Sequence, residues 1–312
     1  MRAIALLSLA AAACAPMAGE TRSAGSGEPG AALVVANKFG NSLSKIDLAS
    51  GREVARVDSC ANPHELATSP DGAHVALACY GGTSVDVFRT ADLSRVKRIE
   101  LGDNARPHGI VWHADGDLYA TAEGRQSIFR IADPLGETET FEFASGKQGT
   151  HMLAVAPDAR HAWTVDLGSK TVTLIDLAPD GRALWVSARG SDMAFALDPQ
   201  TLEVRHEVAT GDFPLRLAIR PQGDVAVTSD LADGTLTVID LAAAKAVRTI
   251  SVSSRAEAEA RQQVTVVWSD DGSRIYVAET ASDTIAEVDY AGGRVLRRLA
   301  TGDGGDGLAI VD

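Results

Sequence analysis

Short apolar runs, each closed by a Pro-Asp-Gly-like turn, recur along the chain at nearly constant spacing. Asn62-Pro-His-Glu-Leu-Ala-Thr-Ser-Pro-Asp-Gly72 returns as Arg106-Pro-His-Gly-Ile-Val-Trp-His-Ala-Asp-Gly116, and again as Gly149-Thr-His-Met-Leu-Ala-Val-Ala-Pro-Asp-Ala159. The turn residues Asp71, Asp115 and Asp158 stand 44 and then 43 residues apart, and a period of that size marks a repeat architecture. Each turn leads into a β-rich run such as Val75-Ala-Leu-Ala78, a small-residue loop such as Gly81-Gly-Thr83, and a further run such as Val85-Asp-Val-Phe88. Apolar and polar residues alternate in Thr171-Val-Thr-Leu-Ile-Asp-Leu177 and Thr235-Leu-Thr-Val-Ile-Asp-Leu241, the signature of half-buried strands.

The runs before and after the small-residue loop occur seven times, the first of each pair starting near Leu33, Val75, Leu118, Ala162, Leu184, Val225 and Ile275. Asp47, Asp176, Asp198, Asp240 and Asp289 close the following run and precede turns, where a carboxylate that accepts from backbone amides is a turn-former. Four short strands per repeat, arranged radially, predict a β-propeller. The chain enters at a second strand, and Gly307-Leu-Ala-Ile-Val311 supplies the inner strand missing there. N- and C-terminal strands would thus share one blade and leave no open edge. Residues 32–312 are therefore predicted to form one closed all-β propeller. One irregularity breaks the count: Leu177 runs straight into Ala178-Pro-Asp-Gly181, half a repeat after Asp158. Either the ring has seven blades, two of them short, or the half-repeat gap at 177–178 leaves six. In the second case one blade carries extra outer strands, with Ala183-Leu-Trp-Val186 toward solvent. The charged, Ala-rich stretch Ser253–Gln263 predicts a surface turn of helix before an inner strand.

Val75-Ala-Leu-Ala-Cys-Tyr80, Arg274-Ile-Tyr-Val-Ala278 and the Ile-Asp-Leu strands resemble the YVTN-repeat β-propellers, the YncE-like group of exported bacterial proteins, over residues 32–312. That resemblance implies the fold and leaves the activity open, because the group's activities are diverse. Pro-His before an inner strand is common in it. Related propellers include sugar lactonases, which rely on carboxylate and Asn metal ligands where this sequence offers histidines.

The N-terminus adds an address. Met1-Arg2 and the apolar run to Cys14 read as an export signal over residues 1–18, too short to span a membrane. Ala11-Ala-Ala-Cys14 fits a lipoprotein processing box except that Ala11 stands where Leu is usual, so lipidation of Cys14 and ordinary cleavage near Ala18 are alternatives. Residues 19–31 read as a flexible linker. The expected location is periplasmic, or membrane-anchored as a bacterial lipoprotein. A net charge of −13 argues against nucleic acid as a partner, and no later apolar run is long enough for a transmembrane segment. A monomer is expected. Cys60, just before an inner strand, and Cys79, near the end of its antiparallel neighbour, fall within disulfide reach; a free thiol near His64 is the alternative.

In a propeller, ligands sit where inner strands begin and second strands end. That face gathers His64, His108, His151, Leu215, Val264 and Asp306 from the first set, and Tyr80, Glu123, Asp166, Arg189, Asp230, Glu279 and Asn37 from the second. Candidate ligand-binding residues are His64, His108, His151, Tyr80, Glu123, Asp166, Arg189 and Arg216. His64, His108 and His151 with Glu123 suit a divalent transition metal; alternatively the histidines cap inner strands. Arg189 and Arg216 can clamp a carboxylate or phosphate, or pair with Asp166 and Asp230. His74, His113, His161 and His206 are expected in solvent, and the four tryptophans in the core. No Gly-x-Ser-x-Gly, phosphate loop or Cys-x-x-Cys occurs. Three function classes remain: an exported propeller binding a small ligand, metal or protein partner; a lactonase-like or metal-dependent hydrolase; and an interaction scaffold.

Overall fold

A computed structural model describes residues 30–145, 147–159, 162–166, 173–177, 183–198 and 201–311. The signal, Cys14, most of the linker and His161 lie outside them. Strands β1 (Ala32–Asn37), β2 (Ser42–Asp47) and β3 (Arg52–Asp58) form a meander. The next sheet is β4 (Pro63–Thr68), β5 (His74–Cys79), β6 (Ser84–Arg89) and β7 (Arg95–Glu100), and the third is β8 (Pro107–Trp112), β9 (Leu118–Ala122), β10 (Ser127–Ala132) and β11 (Glu139–Ala144). Then β12 (Thr150–Val155) and β13 (Ala162–Asp166) form a two-stranded sheet among the described residues. Another four-stranded sheet follows: β14 (Thr173–Leu177), β15 (Leu184–Ala188), β16 (Met193–Leu197) and β17 (Val204–Ala209). After it come β18 (Pro214–Ile219), β19 (Val225–Asp230), β20 (Thr235–Asp240) and β21 (Lys245–Ser251). Helix α1 (Arg255–Arg261) leads to the last full sheet, β22 (Gln263–Trp268), β23 (Arg274–Glu279), β24 (Thr284–Asp289) and β25 (Arg294–Ala300). Finally β26 (Gly305–Val311) pairs antiparallel with β1, so both ends of the described chain build one blade.

The inner strands β26, β4, β8, β12, β14, β18 and β22 pack side by side around one axis. The result is a closed all-β propeller of six four-stranded blades, with the two-stranded β12–β13 sheet occupying the remaining place in the ring. The half-repeat gap resolves in a way the sequence reading did not foresee. Thr173–Leu177 does not continue the sheet of β13; it pairs with β15 and becomes the innermost strand of a new blade. Among the described residues one sheet is short, and no blade carries extra outer strands. Leu184, Trp185 and Val186, on the second strand of that blade, are consequently buried rather than exposed. Burying such apolar side chains stabilises by roughly 1.5–3 kcal/mol each, which favours this arrangement over an outward-growing meander.

Turns follow the expected chemistry: Asp47, Asp198 and Asp240 accept from the backbone N–H groups of Ser50, Thr201 and Ala243. Helix α1 forms where the Ala-rich insertion predicts it, and Arg255 anchors it to the preceding blade through Asp212 and Asp233. Trp185 and Trp268 are core residues, whereas Trp112 and Trp163 are half-buried. His206 is exposed as expected. His113 is buried instead, with its Nε2 3.1 Å from the carbonyl oxygen of Ala156, just past the end of the next inner strand.

Candidate functional site

One local irregularity builds the site. The inner strands β4, β8, β12, β18 and β22 each lose register against their partners near their first residues, between Pro63 and Leu66, Pro107 and Ile110, Thr150 and Met152, Pro214 and Arg216, and Gln263 and Val266. β26 does the same between Gly305 and Leu308. A bulge leaves one residue out of the ladder and re-aims its side chain. The residues so released include His64, Glu65, His108, His151, Leu215, Val264 and Asp306; all of them except Glu65 line a cavity of about 470 Å³. Close approach of neighbouring backbones accompanies the bulges. A Cβ on Gly307 would lie 2.0 Å from the His64 carbonyl oxygen, so glycine is required there.

The three histidines stand in a row across successive inner strands. Ring centroids are 4.1 Å apart between His64 and His108 and 3.5 Å between His108 and His151. Tyr80 meets His64 and His108 edge-on at 5.2 and 5.4 Å. Each end of the row touches a carboxylate: His151 Nδ1 contacts Glu123 Oε1, and His64 Nδ1 lies 3.4 Å from Asp306 Oδ2 without hydrogen-bond geometry. The Nδ1 atoms of His64 and His108 are buried and lack a hydrogen-bond partner. Tyr80 Oη donates to the other oxygen of Glu123 at 2.7 Å, and Arg106 donates to Tyr80 Oη. Burial depresses all three imidazoles: His64 is held down to about 3 despite Asp306, His108 well below its usual value, and His151 below it despite Glu123. All three are neutral at pH 7. Burial and Glu123 push the Tyr80 phenol up to about 12, so it remains a donor.

Arg216 and Glu65 form a buried ion pair, where the sequence offered Asp166 or Asp230 as the arginine's partner. Burial pushes the Glu65 carboxyl upward, and Arg216 opposes that. Lys38 Nζ lies 3.2 Å from Asp306 Oδ2. Burial raises Asp306, but His64, Lys38 and Arg216 outweigh it and hold the carboxyl below its usual range.

Of the sequence candidates, His64, His108, His151, Tyr80, Arg189 and Arg216 line this cavity. Glu123 stands behind His151, and Asp166, at the end of β13 opposite Thr150, does not line it. Asn37, Asp230 and Glu279 turn into their own blades, toward Ser42 and Ser44, Thr228 and Thr237, and Thr284 and Arg298. Ligand atoms of His64, Glu65 and His108 lie within 4.8 Å of one another and could hold a metal ion. Glu65 and Lys38 were missed in the sequence; the available signal for Glu65 was its place beside His64 in the bulge. Cys60 and Cys79 form a disulfide with Cα atoms 5.6 Å apart. Their sulfurs therefore do not act as thiolate ligands beside Asp86, which accepts from Arg98.

Residues 37–249 match the family model described as "Lactonase, 7-bladed beta-propeller", well over half of the chain. The chain belongs to that family. No curated protein matches this lactonase-family member. Among solved structures it is similar to apo AztD from Citrobacter koseri, at 13% identity and a TM-score of 0.68 over 90% of this chain and 97% of that one. It is also similar to the Pseudomonas aeruginosa periplasmic gluconolactonase PpgL, at 18% identity and a TM-score of 0.68 over 90% and 99%. At these identities the likeness is one of fold. No helix among the described residues is long and apolar enough to cross a membrane.

Proposed function

We propose that this lactonase-family propeller is an exported bacterial protein that binds a divalent transition metal through His64 and His108, with His151 and Glu65 completing the donor set. The observation that carries this reading is the pair of buried Nδ1 atoms on His64 and His108 that make no hydrogen bond among the described residues. Leaving a buried polar atom unmatched costs about 1–3 kcal/mol, so two in adjacent residues call for a ligand. Neutral imidazoles suit zinc, copper, nickel or iron, and burial keeps these imidazoles neutral. Glu123 at His151 Nδ1 resembles the carboxylate that orients a metal-bound histidine. Export would follow from the signal at 1–18, with 19–31 as tether to a YVTN-like propeller over 32–312. Elemental analysis of purified protein, followed by zinc titration of chelated wild type and H108A, tests the metal reading. Near-stoichiometric uptake by wild type, lost in H108A, is expected; no uptake by wild type rejects it.

Family membership favours a second reading, hydrolysis of a sugar lactone in the same cavity, and PpgL, named a gluconolactonase, shares the fold. With Nδ1 of His151 engaged by Glu123, Nε2 remains as the base that takes a proton from attacking water. Acid release from gluconolactone, abolished by H151A, is the expected result; a rate equal in wild type and H151A rejects it.

A further inference from the structure

We infer that the cavity recognises a small organic monocarboxylate, with Arg189 as the residue that receives it and Arg216 beside it. This inference deepens the ligand-binding reading of the cavity and does not depend on a bound metal. Charge accounting along the lining carries it. Lys38 is matched by Asp306 at 3.2 Å, and Arg216 by Glu65. Behind the lining, Glu123 accepts from Tyr80, which in turn accepts from Arg106. Arg189 is left: it lines the cavity, its guanidinium stands 5.4 Å from the Phe213 ring centroid, and it has no carboxylate partner among the described residues. Arg216 also keeps a buried Nε without a hydrogen-bond partner.

One unmatched guanidinium in a partly enclosed, low-dielectric space asks for one negative charge. A planar carboxylate fits the guanidinium fork by two parallel hydrogen bonds. A phosphate, carrying about 1.5 negative charges or more at pH 7, would exceed the available cation and meet Asp306. The remaining lining is largely apolar, with Met152, Phe213, Leu215, Leu231 and Val264, so the body of the ligand is at least partly apolar. A cavity of about 470 Å³ admits a molecule the size of a benzoate or a hexanoate and excludes a polymer from complete entry.

Calorimetric titration of chelator-treated protein with benzoate, its neutral isostere benzamide, hexanoate and inorganic phosphate tests this. Benzoate or hexanoate should bind, benzamide at least tenfold more weakly than benzoate, and phosphate more weakly than either acid. R189Q should weaken carboxylate binding at least tenfold, while R189K, which keeps the charge but not the fork, should fall between. Equal affinity for benzoate and benzamide, tighter binding of phosphate, or no binding of either acid at millimolar concentration overturns the inference. So does an R189Q variant of unchanged circular dichroism that binds benzoate as wild type does. Zinc titration of the same wild-type preparation keeps the two readings separable: zinc uptake without carboxylate binding rejects the clamp alone.

Discussion

Arg216 and Glu65 join across the central axis of the propeller. β18 carries the arginine and β4 the glutamate; between them around the ring lie β22 and β26 on one side, and β8, β12 and β14 on the other. Both residues are buried, so the pair ties nearly opposite blades together at the level of the site. Its removal one partner at a time leaves an uncompensated buried charge, which costs about 3–5 kcal/mol. E65L and R216M should therefore each lose stability of that order in urea denaturation. The double variant E65L/R216M should recover most of the loss, because an apolar pair of similar volume avoids the desolvation cost. Additive losses in the double variant would show that the two residues do not act as a pair.

That pair also shows where sequence reading stops. Strands, turns, the period and the shared first blade were legible because hydrophobic alternation and Pro-Asp-Gly turns are local signals. The convergence of His64, His108 and His151 was legible too, since they hold equivalent positions in successive repeats. Glu65 was not, because in an unbulged strand it would point away from His64's side. Only the bulge between Pro63 and Leu66 frees it to meet Arg216, 151 residues later. Arg189 and Asp166 occupy equivalent repeat positions but differ in outcome, one lining the cavity and the other not. The half-repeat gap was visible as a missing segment, yet its resolution depended on which strand took the innermost place, a tertiary choice.

Acid should destabilise the metal-free protein through its buried imidazoles, opposed in part by Asp230, whose carboxyl burial pushes up to about 6 so that it takes up a proton in the same range. His64, His108 and His151 have folded-state pKa values below the ordinary imidazole value, with His64 near 3. As pH falls below about 6.5 the unfolded chain takes up protons that the folded chain refuses, so stability declines with falling pH through that window. For His64 alone, the loss between pH 7 and pH 5 is on the order of 2 kcal/mol. Urea midpoints measured across that range should drop, and H64N should show a shallower slope. Parallel slopes in the two proteins would exclude His64 as a source of the pH dependence.

Gly307 links the closure of the ring to the site. A methyl group there would press on the His64 carbonyl oxygen at 2.0 Å, against backbone that cannot swing aside. G307A should therefore push β26 away from β4, costing roughly 1–3 kcal/mol as an overpacked position does. It should also displace His64, which sits on the clashing backbone. Thermal melting gives the first effect and the NMR shift of the His64 imidazole the second. A variant that melts like wild type with an unmoved His64 resonance would mean the two strands can separate without consequence.

Glu123 should act on the site only through its neighbours. It receives Tyr80 Oη on one oxygen and contacts His151 Nδ1 with the other, and it does not line the cavity. The hydrogen bonds of His151 and Tyr80 outweigh burial and hold its carboxyl below the usual range, so the carboxylate is ionised at pH 7. An anion at Nδ1 fixes the imidazole tautomer and strengthens Nε2 as an electron-pair donor. E123Q preserves the shape but removes that charge, so zinc affinity should fall about 10–100-fold while the fold loses only about 1 kcal/mol. Y80F removes one of the two contacts and leaves the carboxylate on His151, so its effect on zinc should be several-fold smaller than that of E123Q. H151A should match or exceed E123Q, and combining the two should add little, because the glutamate has no imidazole left to orient. If E123Q and H151A instead weaken zinc additively, Glu123 reaches the metal by a route other than His151, and the orienting role assigned to it is wrong.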